Sequence, residues 1–241
     1  MGRVKIARKS TFIDMTAMSD VTVLLLTFFM LTSTFLSKEP TTVITPASIS
    51  EEKVQETNYV QVLVSPQGKV WLTMNNDTSQ TYSNEKMRME LLDKVSELYN
   101  AQHKDKIKFT EEQKYAFSKL NSFGVPLRQM GEFLNLASQP EGQTKMDNWI
   151  QGKDNNPNHV TGIPISWNED ETHPNEFQLW MKAMRQSENT NLTDAIKRGT
   201  GVAIKADQNT SFEIIHKVMD NLQTIHMNKF TLLTALKGAD E

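Results

Sequence analysis

Residues 16–36 limit the possible folds of this chain more than any other stretch, because they form its longest apolar run. The run reads TAMSDVTVLLLTFFMLTSTFL, and no formal charge interrupts it between Val21 and Leu36. With residues 12–20 included, it predicts a helix over 12–36. At ~1.5 Å per residue, this helix is long enough to cross a hydrocarbon core of ~30 Å. We therefore expect a single membrane-spanning helix near the N-terminus.

The charges around this run predict its orientation. Four basic residues lie on its N-terminal side and Lys38 alone lies just beyond its other end; the four are Arg3, Lys5, Arg8 and Lys9. The positive-inside rule then places residues 1–11 in the cytoplasm and the rest of the chain across the membrane. A cleavable signal peptide is the alternative. No A-x-A-like cleavage site follows the run, which ends in STFLSKEP, so we favour an uncleaved anchor.

One acid, Asp20, lies near the start of the run. A charged side chain at the centre of a membrane-spanning helix costs roughly 2.5–3.5 kcal/mol. Thr16, Asp20, Thr27 and Thr34 are spaced by four, seven and seven residues, which places them on nearly one side of a helix. The threonines alone are equally consistent with hydroxyls that bond carbonyls of their own helix. Because Asp20 shares their side of the helix, we favour the interpretation that this polar face lies against a protein partner, a second copy of the chain or a water-filled path. A carboxyl group removed from water ionises less readily, which suits a carrier of protons.

The stretch IDMTAMSDVTVLLLTFFMLTSTF, residues 13–35, resembles the signature of the ExbD/TolR family. Thr16, Asp20, Val21 and the Phe28-Phe29-Met30 segment match it in register, whereas Ala17 stands where the family usually has proline. The resemblance implies a subunit of a proton-driven motor in the bacterial inner membrane, with Asp20 as the proton-carrying acid and Thr16, Thr27 and Thr34 on its helix face. It also implies three partners: a multi-span, pore-forming ExbB/TolQ-like subunit, a second copy of this chain and a TonB-like protein.

Beyond the helix, the sequence predicts an extended periplasmic linker over 37–58 and an α/β domain over 59–241. Alternating valines on either side of Ser-Pro-Gln-Gly indicate a hairpin over 59–75, and an apolar stripe indicates a helix over 84–100. Residues 201–236 read as strand, helix and strand, with Thr210 and Glu213 as a capping box. The predicted fold class is thus one transmembrane helix followed by an α+β domain with a hairpin, a helix and a C-terminal βαβ unit.

Residues 104–172 are interpreted as a mainly helical insertion in that domain. One helix is predicted after a Thr110/Gln113 capping box with a stop at Gly124, and another opens at Pro126. A polar loop then precedes a further helix that begins at Glu176. Three tryptophans near the loop, Trp149, Trp167 and Trp180, suggest a partner surface.

Composition excludes several classes of function. A net charge of −3 gives no reason to expect nucleic-acid binding, and the absence of cysteine excludes thiol chemistry and disulfides. No catalytic or nucleotide-binding motif is present, so no enzyme activity and no cofactor are expected. No metal site is expected either, because the histidines and acids of the polar loop match no compact ligand spacing; they are His159, Glu169, Asp170, Glu171 and His173.

These observations predict a motor subunit that couples the proton motive force to TonB-dependent transport across the outer membrane. Two alternatives remain open: a TolR-like subunit that maintains the cell envelope, and a binding module for which the helix is only a tether. Replacing Asp20 by Asn separates the motor from the tether, because only the motor needs an ionisable group there.

Overall fold

The computed structural model describes residues 15–32, 39–49, 55, 57–75 and 84–236. They belong to two compact units, Met1–Lys38 and Glu39–Glu241. In the first unit, the predicted cytoplasmic segment 1–11 and both ends of the predicted helix 12–36 lie outside the described residues. The described part of that helix is α1, Met15–Thr32. Within the described residues, no helix combines the length and the apolar character needed to cross a bilayer.

The second unit is an α+β domain built on a five-stranded sheet. In chain order, its elements are β1 (Ala47–Ser48), β2 (Tyr59–Val64), β3 (Val70–Asn75), α2 (Asn84–Gln102), α3 (Glu111–Ser118), β4 (Ser122–Phe123), α4 (Leu127–Asn135), a 3₁₀ turn (Leu136–Ser138), α5 (Gly142–Gln151), α6 (Glu176–Arg185), α7 (Thr190–Arg198), β5 (Val202–Ala206), α8 (Phe212–Thr224), β6 (Thr231–Leu232) and β7 (Ala235–Leu236).

The sheet has the strand order β4-β3-β2-β5-β6. The predicted hairpin is confirmed, since β2 and β3 pair antiparallel with Val64 opposite Val70. The predicted βαβ unit is confirmed as well, because β5 pairs parallel with β2 and with β6. All residues of β2 after Tyr59 are buried, so side chains on both faces of this strand are covered. The sheet is therefore covered on both sides, as in α/β domains.

Segment 104–172 shares the core of the domain. Its strand β4 pairs with β3 at the edge of the sheet. Its side chains Phe117 and Phe123 pack against Trp180 of α6, with ring centroids 5.9 and 4.5 Å away. Phe133 and Trp149 are also completely buried. This segment therefore does not form a separate layer; its extent as an insertion stays a prediction.

Four sequence-based predictions about local structure need correction. The helix after Thr110 has the predicted capping box but ends at Ser118 rather than Gly124, and strand β4 follows. Gly124 is instead required by packing, since a Cβ there would lie 2.1 Å from Cδ1 of Trp71. The predicted polar loop contains a helix, α5. The N-cap of α8 is Ser211, and its side chain makes no capping hydrogen bond.

The fourth correction concerns the proposed tryptophan surface. Trp149 and Trp180 are fully buried, so they belong to the core and cannot contact a partner. Trp167 is 48% exposed and has its ring near His216 and the ammonium group of Lys217. Of the three, only Trp167 remains available to a partner.

Candidate functional site

Helix α1 carries the residues that the sequence predicts to be functional. Asp20 and Thr16 are one helical turn apart, and Thr27 follows two turns after Asp20. At ~100° per residue, all three directions fall within an arc of about 40°. The predicted polar face is thus present for Thr16, Asp20 and Thr27, whereas Thr34 lies outside the described residues.

The hydroxyl groups of α1 largely bond within the helix. The Thr27 hydroxyl donates to the carbonyl of Leu24 at 2.9 Å, and Thr22 and Thr32 donate in the same way to Ser19 and Phe28. Such bonds satisfy a hydroxyl group where water is absent. The alternative interpretation of the threonines as self-bonded therefore holds for Thr27. Asp20 is the only ionisable residue of α1, so it alone provides a charge on this face.

The apolar side chains of α1 are uncovered in the described unit. Leu24 is 61% exposed, Phe29 is 65% exposed and Leu31 is 86% exposed. An apolar helix in water would bury such a surface against other elements, at roughly 25 cal/mol per Å². Such a surface suits contact with lipid or with apolar side chains of other helices.

A strap follows in the second unit, formed by residues 39–49 of the predicted linker. Its backbone exchanges hydrogen bonds with the loop after β5: Ile44 N–H donates to the Asp207 carboxylate at 2.9 Å, and Gln208 N–H donates to Ile44 O at 2.8 Å. Further along, β1 pairs parallel with β7. Lys205 binds Glu39 at 2.6 Å. Residues 39–49 are therefore attached to the domain, and the extended linker over 37–58 stays a prediction.

Hydrogen bonds also lower the pKa of Asp207, which accepts a hydrogen bond from the strap. Backbone N–H groups of Asn209 and Ile44 hold the pKa of Asp207 below its usual value, because they stabilise the carboxylate. The strap is therefore held by a charged acceptor at neutral pH, and hydrogen bonds to charged groups are the stronger ones.

Sequence reasoning missed a half-buried carboxyl group with a strongly raised pKa, that of Glu176. Burial raises the pKa of Glu176 to about 7, against a smaller opposite effect of the Leu127 N–H and the Arg128 charge. The indole N–H of Trp180 also favours the ionised form of Glu176, although it makes no hydrogen bond to the carboxylate. Glu176 opens α6 after the capping residue Asn175, so by sequence it looked like an ordinary first-turn acid.

Comparison with protein families gives one match. A family model described as "ExbD: Biopolymer transport protein ExbD/TolR" matches residues 7–237, almost the whole chain. No curated protein and no solved structure matches significantly. The match includes α1, the strap and segment 104–172 in a single alignment.

Proposed function

The chain belongs to the ExbD/TolR family of biopolymer transport proteins, and from that premise we propose that Asp20 carries the protons that drive its motor. Members of the family work with ExbB/TolQ-type partners, form oligomers and are typically anchored in the inner membrane. The proposal adds that this chain spans the membrane over 12–36 with its N-terminus in the cytoplasm, and that it energises TonB-dependent uptake.

The observation that carries the proposal is a single acid within α1, Met15–Thr32, which is otherwise neutral. Asp20 is the only charged residue of α1 and shares a narrow face with Thr16 and Thr27. A carboxyl group among apolar side chains exchanges protons between two environments, and a proton crossing the membrane releases about 2.3 kcal/mol per 100 mV. This energy is enough to move one helix against a partner.

The exposed apolar side chains of α1 support a position among lipids and partner helices. A pore subunit of the ExbB/TolQ type would cover the face with Asp20, and lipid or a second copy would cover the rest. Small and hydroxylated residues permit close helix contacts in such a setting; on α1 these include Thr16, Ser19, Thr22 and Thr27.

Replacing Asp20 by Asn tests the proposal, because the amide keeps the shape and cannot carry a proton. We expect the variant chain to co-purify with the ExbB/TolQ-like partner at wild-type yield while losing all uptake that depends on the proton motive force. Uptake of a siderophore-type substrate in cells that carry the variant as their only copy measures this.

Two control variants sharpen the result. Asp20→Glu keeps the acid and should retain part of the uptake. Asp14→Asn removes the other acid of the predicted helix 12–36, six residues before Asp20, and should retain most of it. If Asp20→Asn supported normal uptake, the helix would be a tether and the proton-carrying role would be wrong.

A TolR-like role in envelope maintenance is the second candidate, since the family description names both types. Expression of the chain in cells lacking the TonB-linked motor and in cells lacking the Tol motor distinguishes them. We expect restored uptake in the first and no restored detergent resistance in the second; the reverse result would assign the TolR-like role.

A further inference from the structure

The domain contains a cavity of about 300 Å³ between the end of α2, the start of α4 and the start of α6. No role in proton transfer or in binding the strap involves this cavity. Its wall combines one acid, one arginine, two aromatic rings and several prolines; the lining residues are Tyr99, His103, Pro126, Arg128, Pro164, Pro174, Asn175, Glu176 and Leu179.

Glu176 supplies a carboxyl group with one oxygen already engaged. Oε1 accepts the N–H of Leu127 at 2.6 Å, at the first residue of α4. No hydrogen bond to Oε2 is present among the described residues, and this oxygen is not sealed from solvent. An ionised carboxylate in an apolar wall is costly unless a cation or a further donor meets it.

Arg128 supplies the opposite charge on the same cavity. Its Nε donates to the hydroxyl of Tyr99 at 3.0 Å, which fixes the direction of the guanidinium group. Its Nη2 reaches Asp105 at 3.4 Å in an exposed ion pair, of the kind that contributes little. Most of the guanidinium donors are therefore available to an incoming acceptor.

The two charges face the cavity without touching each other. Each favours the ionised form of the other, so they are close enough to interact. No ion pair within 4.0 Å joins Arg128 and Glu176 among the described residues, although both have long side chains. A gap between opposite charges fits a molecule that carries both charges itself.

Apart from Asn175, the rest of the wall consists of rings, prolines and one leucine. The rings of Tyr99 and His103 stack at a centroid distance of 4.0 Å and an angle of 4°. Pro126, Pro164 and Pro174 line the cavity together with Leu179. Prolines and stacked rings lose little freedom when a ligand binds. A small apolar group fits this wall better than a polar one.

We propose that this cavity binds a small zwitterion of the amino-acid class, with its ammonium group on Glu176 and its carboxylate on Arg128. The apolar side chain of the ligand lies against the Tyr99–His103 stack. The competing interpretation is that Glu176 only caps α4, which predicts a structural effect and no ligand.

Three probes of nearly equal shape test the proposal on the full-length chain in detergent. L-Leucine carries both charges, N-acetyl-L-leucine only the negative one and L-leucinamide only the positive one. Isothermal titration should show leucine binding at least about tenfold more tightly than either derivative, because each derivative leaves either the half-buried Glu176 or the exposed Arg128 without an opposite charge. Equal affinities, or no leucine binding at 10 mM, would overturn the proposal.

Paired variants identify the charges. Glu176→Gln should bring the affinity for leucine down to that for N-acetyl-L-leucine, and Arg128→Gln should bring it down to that for L-leucinamide. Glu169→Gln and Arg198→Gln make the same charge changes at exposed positions away from the cavity and should leave binding unchanged. Denaturation curves of each variant establish that it is folded. If all four variants bound leucine equally, the cavity would not be a zwitterion site, and the Asp20 proposal would be unaffected.

Discussion

Among single residues, Glu176 links the stability of the domain to pH. Its pKa is about 7 in the folded chain, because burial disfavours the carboxylate, and ~4.3 in an unfolded chain. Between these pH values the folded state binds more protons than the unfolded state. The free energy of unfolding therefore falls as pH rises from about 4.3 to about 7, and this group causes no further change above that pH.

Glu176→Gln removes this pH dependence. Since glutamine stays neutral and still accepts the Leu127 N–H, the variant should be more stable than the wild type at pH 8, by about 1–2 kcal/mol after allowing for solvent screening. At pH 4 the two should be nearly equal. Urea denaturation followed by tryptophan fluorescence measures this in the domain, because all four tryptophans follow residue 70.

The exposed Glu169 provides the comparison for that measurement. Glu169→Gln should reproduce the pH profile of the wild type, because Glu169 is exposed and its replacement leaves Glu176 unchanged. A Glu176→Gln variant that is less stable than the wild type at pH 8 would contradict the assignment of burial as the dominant influence on Glu176.

Two glycines of segment 104–172 differ in what a methyl group would meet. At Gly124 a Cβ would lie 2.1 Å from Cδ1 of Trp71, a buried ring whose N–H donates to Ile150 O at 3.1 Å. At Gly131, within α4, the nearest atom would be Gln113 Nε2 at 3.6 Å, an ordinary contact. Gly124→Ala should therefore destabilise the domain by about 1–3 kcal/mol.

Gly131→Ala is the matched change and should stabilise by up to ~1 kcal/mol, because alanine favours the helix. Thermal unfolding of both variants beside the wild type tests the pair. If Gly124→Ala unfolded at the wild-type temperature, Trp71 would have to pack less tightly than it does here.

At the scale of helices and strands, periodic patterns in the sequence predict an element correctly where one apolar stripe faces the core. The stripes of α2 and α4 and the alternation of the hairpin predicted those elements, and Met87, Leu91, Val95 and Tyr99 are all buried as the stripe requires. Strand β4 escaped prediction because it has two residues and is defined by its partner β3. Helix α5 escaped because only Met146, Trp149 and Ile150 interrupt its polar surroundings.

The Asp20 site and the cavity with Arg128 and Glu176 also differ in how far the sequence predicts them. Asp20 stands out in the sequence, because a charge near the start of an apolar run is locally costly. Arg128 and Glu176 are 48 residues apart in the sequence and face one cavity only because α4 and α6 begin side by side, with Leu127 N–H bonded to Glu176. No local pattern predicts such a meeting, since it follows from tertiary packing.

At the scale of the whole molecule, the shared core predicts the result of removing residues 106–170. The deletion takes away β4 and the buried side chains of Phe117, Phe133 and Trp149. The remaining strands would expose the apolar surface that these side chains cover, at roughly 25 cal/mol per Å². We expect the shortened chain to lose its cooperative thermal unfolding, as measured by circular dichroism.

A surface variant separates loss of folding from loss of a partner. Trp167→Ala changes a ring that is 48% exposed, so the domain should unfold as cooperatively as the wild type. Any loss of partner binding in this variant then reports on the surface itself. A shortened chain with a sharp, native-like transition would show that segment 104–172 is a separable module.

The strap also holds a length of chain that a pull from its N-terminal side would release. Its attachments follow one another along the chain, from the Glu39–Lys205 ion pair through Ile44 to the pairing of β1 with β7. A pull from the N-terminal side meets them one at a time, so they detach in sequence rather than together. Complete detachment frees eleven residues, a tether of at most about 35–40 Å at 3.3–3.6 Å per residue. Tension applied to the N-terminal end of the strap would thus lengthen the chain in steps.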